Sequence, residues 1–189
     1  MPDFICDKTV KNQDFTKTRL PKAEYENCVF EGCNFSDGYL DNQNFMECTF
    51  QDCNLSNANI VHSQFKEVLF QHCKMMGLKF ETCNDFLIDF RFMDCALNLA
   101  SFNGLSLKKQ YFKDCKLIEV DFTETDLTEA LFANCDLNRA IFSGTQLNKA
   151  DFCTAYNFKI DLEQNAMKGA QFSKENVVGL LHKYELVIN

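Results

Sequence analysis

The stretch FMECTFQDCNLSNANI, running from Phe45 to Ile60, carries the reading of the whole chain. Every fifth residue is large and apolar: Phe45, Phe50, Leu55 and Ile60. Two places before the last three stand small residues, Cys48, Cys53 and Ala58. The positions between are mostly polar. A helical period of 3.6 would scatter these apolar residues around a cylinder, and a strand period of two would put them on alternating faces. A period of five, with one large and one small residue turned inward, is a different architecture.

Outward from this stretch the period holds. It runs from Val10 through Phe15, Leu20, Tyr25, Phe30, Phe35 and Leu40, and on to Phe65, Phe70, Met75 and Phe80. It then slips by two residues and resumes from Phe92 in fives to Phe152. Asn157 stands at the next expected centre, followed by Leu162, Met167 and Phe172. Asp or Asn often precedes the centre, as at Asn34, Asn54, Asp121, Asp126, Asp136 and Asp151.

Cys53–Asn57 (CNLSN), Ala150–Thr154 (ADFCT) and Cys135–Arg139 (CDLNR) follow the motif A(D/N)LXX. The chain therefore resembles the pentapeptide-repeat family over roughly residues 8–173. The resemblance implies an all-β fold, a right-handed quadrilateral β-helix with four pentapeptides per coil. Residues twenty apart should then stack. They do so in kind: Phe30, Phe50 and Phe70 continue across the slip as Phe92, Phe112, Phe132, Phe152 and Phe172. A second face carries Phe80, Phe102, Phe122 and Phe142. Cys33, Cys53, Cys73, Cys95, Cys115 and Cys135 form a file of their own. Rungs should lie about 4.8 Å apart, the spacing of hydrogen-bonded strands.

The slip places a two-residue bulge within residues 83–89, with Phe86 or Leu87 expected to fill the centre. Residues 1–173 thus read as the β-helix and 174–189 as a separate C-terminal module. There Ser173 is suited to cap a helix. Val177, Leu180, Leu181 and Tyr184 follow helical spacing, and residues 185–189 read as a short strand with Leu186 and Ile188 on one face. Similarity to the Qnr- and MfpA-type branches of the family implies a homodimer joined through Val177, Leu180, Leu181, Tyr184, Leu186 and Ile188.

No enzyme signature is present, and no cofactor or metal is implied. The chain has no phosphate-binding Gly-rich loop and no nucleophile elbow, and its three histidines are widely spaced. The cysteine file would run inward in a line and would not converge on a metal. Cys6 and Cys153 lie off the inward positions. No apolar run reaches membrane-spanning length. The first residues carry no signal-peptide pattern. Eleven cysteines in such a chain suit a reducing cytoplasm.

The net charge of −8 argues against direct binding to nucleic acid. Coil arithmetic aligns Glu47, Glu67 and Asp89 on one face, followed by Lys109 and Glu129. Asp52, Asp94 and Asp114 align one pentapeptide further on, with His72 in the gap. Lys108, Lys109, Lys113 and Lys116 interrupt the acidic surface. Carboxylates spaced along a rod imitate the phosphates of duplex DNA. The resemblance to Qnr, MfpA and the microcin B immunity proteins implies a type II topoisomerase, DNA gyrase or topoisomerase IV, as partner. It implies modulation of that enzyme, or resistance to quinolones or a peptide toxin. The other reading is a scaffold for an unrelated protein.

Overall fold

The computed structural model describes residues 3–86 and 88–187. Its strands are short: β1 (Asp3–Cys6), β2 (Thr9–Lys11), β3 (Ala23–Glu26), β4 (Val29–Glu31), β5 (Asn44–Met46), β6 (Thr49–Gln51), β7 (Gln64–Lys66), β8 (Val68–Gln71), β9 (Phe90–Met93), β10 (Tyr111–Lys113) and β11 (Leu131–Ala133). All pairings between them are parallel, in one sheet of order β1-β3-β5-β7 and another of order β11-β10-β9-β8-β6-β4-β2. Isolated parallel bridges such as Asn34↔Asn54 and Ser101↔Asp121 form the remaining sides. The chain is a right-handed quadrilateral β-helix.

Each side is a few residues long because its corner is a tight turn. The N–H of Gly38 donates to the carbonyl of Phe35 at 2.9 Å, and that of Ala58 to Leu55 at 3.0 Å. Between them Asp37 and Asn57 take φ of 53° and 55°. This left-handed third position is what such a turn requires. The Asp or Asn before the centre braces the same turn. Asn54 Oδ1 accepts from the Ser56 N–H at 3.1 Å, and Asp121 Oδ1 from the Thr123 N–H at 2.8 Å. This local bonding gives those residues a structural task in the turn.

Inside, the rings stack. From Phe30 through Phe50, Phe70, Phe92, Phe112, Phe132 and Phe152 to Phe172, successive centroids lie 4.7–5.5 Å apart and nearly parallel. The Phe80–Phe102–Phe122–Phe142 column stacks likewise and meets the first edge-on. The small inward residue has a polar task. Cys53 Sγ donates to the Phe30 carbonyl at 3.3 Å, Cys73 to Phe50 at 3.3 Å and Cys95 to Phe70 at 3.4 Å. Thr125 and Thr145 hydroxyls do the same for Phe102 and Phe122. All eleven cysteines are free thiols, and only Cys6 and Cys153 are exposed.

Partner spacing is twenty up to Phe50↔Phe70 and twenty-two at Val68↔Phe90. The insertion does not place Phe86 inside. Phe86 is 70% exposed, and Leu87 lies outside the described residues. Phe90 fills the interior from the slot normally held by a small residue, with its ring 5.1 Å from Phe80 and 6.3 Å from Phe65. Asn157 is also not an inward centre. It sits exposed at φ 62°, and Phe158 and Ile160 are buried in its stead. An amide there would face apolar rings with no partner, so the chain turns it outward.

The C-terminal helix consists of two short 3-10 turns, Val177–Leu180 and His182–Tyr184. Residues 185–187 form no strand, and Ile188 lies outside the described residues. Ser173 Oγ accepts from the Asn176 N–H at 3.1 Å. Asn176 Nδ2 then donates to the carbonyls of Phe152 and Ala155, closing the last coil. Gly179 packs so closely on Phe158 that a Cβ there would collide with it. No helix among the described residues is long and apolar enough to cross a membrane.

Candidate interaction surface

The corners of the β-helix make its charged surface. At each left-handed position the side chain leaves the rod, so the same corner of successive coils forms a column. Glu47 and Glu67 occupy one such column at φ 53° and 54°. Lys109, Glu129 and Lys149 continue it at φ 60°, 61° and 58°. Asp52, His72, Asp94 and Asp114 occupy the next at φ 52–55°. Asp89 reaches its place differently. It ends the insertion, where its N–H donates to the Phe65 carbonyl and its own carbonyl accepts from the Val68 N–H. All six carboxylates read from the sequence are exposed.

Their neighbours along the rod are not uniformly acidic. His72 Nδ1 lies 3.5 Å from Asp52 Oδ1, and its Nε2 lies 3.4 Å from Asp94 Oδ2. Asn134 Nδ2 donates to Asp114 Oδ1 at 3.1 Å. Glu129 is flanked by Lys149 at 3.2 Å and Lys109 at 3.9 Å, and Arg139 pairs with Glu119 at 3.1 Å. Lys108 pairs with Asp126 at 3.3 Å. The twenty-residue arithmetic applied to basic residues as well as acidic ones carries this signal. Glu47 and Glu67 stand one coil apart in one column. Exposed pairs of this kind add little stability each, about 0–1 kcal/mol. Their effect is to divide the surface into acidic and mixed zones.

The residues assigned to the C-terminal contact divide too. Leu180 is buried in its own chain and Leu181 is half-buried. Val177, Tyr184 and Leu186 are exposed, along with Val178 and Val187. The segment is tied to the rod by Lys183, whose Nζ lies 2.9 Å from Asp161 Oδ1 and 2.8 Å from Glu163 Oε2. Bonds to Glu163 and Asp161 push the Lys183 ammonium above its ordinary range, and the Lys183 bond holds Asp161 below the ordinary carboxylate range.

Burial pushes Cys48 up to about 11 and Cys83 up to about 12. Among the described residues no group of three or more His, Cys, Asp or Glu converges to hold a metal ion.

One feature went unread in the sequence: Phe4, Met46 and Phe86 are exposed together along a groove on the β1-β3-β5-β7 sheet. The sequence signal was present at Phe4 and Met46, which stand one residue off an inward centre.

Among solved structures, the chain is similar to a trypsin-treated variant of QnrB1, a plasmid-mediated fluoroquinolone resistance protein. The identity is 18%, covering 100% of this chain and 99% of that one, with a TM-score of 0.47. Full-length QnrB1 gives 17% identity over 96% and 99%, with a TM-score of 0.47. A pentapeptide repeat protein (Rfr23) from the cyanobacterium Cyanothece 51142 gives 17% over 57% and 89%, with a TM-score of 0.28. No curated protein matches the chain in sequence. A family model described as "Pentapeptide repeat region" matches residues 18–84 and 43–122, and one described as "Pentapeptide repeats (8 copies)" matches residues 115–152. With more than half of its length matched, the chain belongs to the pentapeptide-repeat family.

Proposed function

We propose that this protein is a non-catalytic DNA mimic that occupies the DNA-binding surface of a type II topoisomerase. The observation that carries the reading is the placement of Glu47, Glu67, Asp52, Asp94 and Asp114 at left-handed corners, which projects their carboxylates from successive coils. Rungs about 4.8 Å apart set those charges on a rigid lattice. A basic DNA-binding groove would meet a preorganised acidic rod and lose little entropy in binding it. Asp89 extends the first column across the insertion. In this reading the protein modulates DNA gyrase or topoisomerase IV, or shields it from quinolones or a peptide toxin. It works in the cytoplasm, where its free thiols stay reduced. It acts as a homodimer, joined through the exposed Val177, Tyr184 and Leu186 and the half-buried Leu181, with Ile188, outside the described residues, assigned to the same contact. Leu180, buried in its own chain, serves that end from within.

The test is a supercoiling assay with purified gyrase, with and without ciprofloxacin. Inhibition or protection at micromolar protein is expected, and it should vanish when Glu47, Glu67, Asp52, Asp94 and Asp114 are changed to Lys. An inert wild-type protein that also fails to bind gyrase would sink the proposal.

A scaffold role toward an unrelated protein is the second reading. It is favoured by the mixed Lys109–Glu129–Lys149 column, which is not DNA-like. Recovery of a partner other than a topoisomerase, held by that column, would decide for it.

A further inference from the structure

The two-residue insertion changes the outside of the rod as well as its interior. It throws Phe86 onto the outer face of the β1-β3-β5-β7 sheet, where Phe86, Phe4 and Met46 line one groove of about 350 Å³ with Glu26, Gln64 and Lys66. Phe86 is 70%, Phe4 60% and Met46 37% exposed. Solvated sheet faces carry scattered single apolar residues, and a set that shares a groove marks an interaction site.

The charges say what fits. Strand register aligns Cys6, Glu26, Met46 and Lys66 on consecutive rungs of one column, and Phe4, Glu24, Asn44 and Gln64 on the other. Glu26 and Lys66 therefore stand one rung either side of Met46, with opposite signs. Phe4 and Phe86 stand at the two ends. Among the described residues no ion pair within the chain uses Glu24, Glu26 or Lys66. This pattern is antisymmetric about Met46. A two-fold axis lying in the face at Met46, along the strands, inverts the order of rungs. It brings Glu26 opposite the partner's Lys66 and Met46 opposite the partner's Met46, and it sets the Phe4 end of each groove against the partner's Phe86 end. An isologous contact requires this kind of self-complementarity.

We propose that this face docks on the same face of a second copy, with the two rods antiparallel and side by side. The contact is distinct from one at the C-terminal end, which leaves this sheet uncovered. Apolar side chains at the centre and ends supply the drive, and the crossed Glu26–Lys66 pairs set direction and register.

The test uses the full chain. Met46→Cys should give a covalent dimer on mild oxidation, with peptide mapping showing the two introduced thiols joined. Asn138→Cys, exposed on another side, should not. By sedimentation equilibrium, Glu26→Lys and Lys66→Glu should each weaken self-association by on the order of tenfold or more, because like charges then face each other. The double exchange should restore it. Phe86→Ser should weaken it without changing thermal unfolding, since the side chain is outside the core. Three results would overturn the proposal: no cross-link beyond the Asn138→Cys control, single charge variants that associate like the parent, or a double exchange that restores nothing. Capture of an unrelated protein by Met46→Cys in place of a second copy would also overturn it. None of these readouts depends on a topoisomerase.

Discussion

Truncating Phe112 to alanine tests the stacked interior most directly. Phe112 is fully buried at the middle of the long ring column. Its ring lies 5.4 Å from Phe92 and 5.2 Å from Phe132, at interplanar angles of 3° and 9°. Phe102 and Phe122 approach edge-on at 5.9 and 6.0 Å. Removing the ring forfeits its transfer free energy and leaves a cavity between coils whose separation is held by β10 pairing with β9 and β11. The walls cannot close, so the cost should sit at the upper end of about 3–5 kcal/mol. In a linear array each coil contacts only its neighbours, so the loss falls on one interface and uncouples the two halves. Urea unfolding followed by far-UV circular dichroism reads this out, since the chain has no Trp. The expected result is a lower midpoint and a broadened or split transition. Ile141→Ala, at an exposed position, should stay within about 0.5 kcal/mol of the parent. A loss for Phe112→Ala below about 1 kcal/mol, with one sharp transition, would refute the claim of a rigid, non-collapsing interior.

Four further outcomes are expected. Leu99 is held at φ 61°, a conformation costly for a side chain of its kind, so Leu99→Gly should stabilise by about 1 kcal/mol in the same urea assay; a destabilisation would show that its exposed side chain is needed. Lys183→Met should release the C-terminal segment while leaving the rod intact, seen as faster hydrogen exchange over residues 174–187 alone. The pH dependence of that docking follows from the two shifted groups. Asp161, depressed on folding, contributes above its unfolded value of about 4 and loses its effect as pH falls through the lower folded value; Lys183, raised on folding, contributes fully below about 10.4 and loses its effect as pH rises through the higher folded value. Exchange over 174–187 should therefore be slowest between those limits, and a flat profile would remove the ion pair from the account. With Ellman's reagent at about pH 8, Cys6 and Cys153 should react in the folded protein, slowed because desolvation at Cys6 and the Asp151 carboxylate at Cys153 hold their thiols above the ordinary range, and the other nine only on unfolding; early reaction of a third thiol would contradict the buried file.

The period of five, the Phe columns, the cysteine file and the acidic corners were all legible in the residues alone. In a β-helix every regular coil meets the same environment one rung further on, so position in the repeat sets both direction and burial. Reading failed where the repeat was broken. At the insertion the inward ring is Phe90 and not Phe86, because the outcome depends on which backbone path lets a ring reach the space above Phe65. Phe158 replaces Asn157 because one residue can be turned inward only by the local path of the chain. The C-terminal segment closes the rod through Asn176 and Lys183, whose partners lie about twenty residues upstream on the preceding coil. Neither the crossing of His72 between Asp52 and Asp94 nor the groove joining Phe4 to Phe86 is a local property. Both are contacts between coils, and their distances are set only when the rungs are stacked and the insertion has found its path.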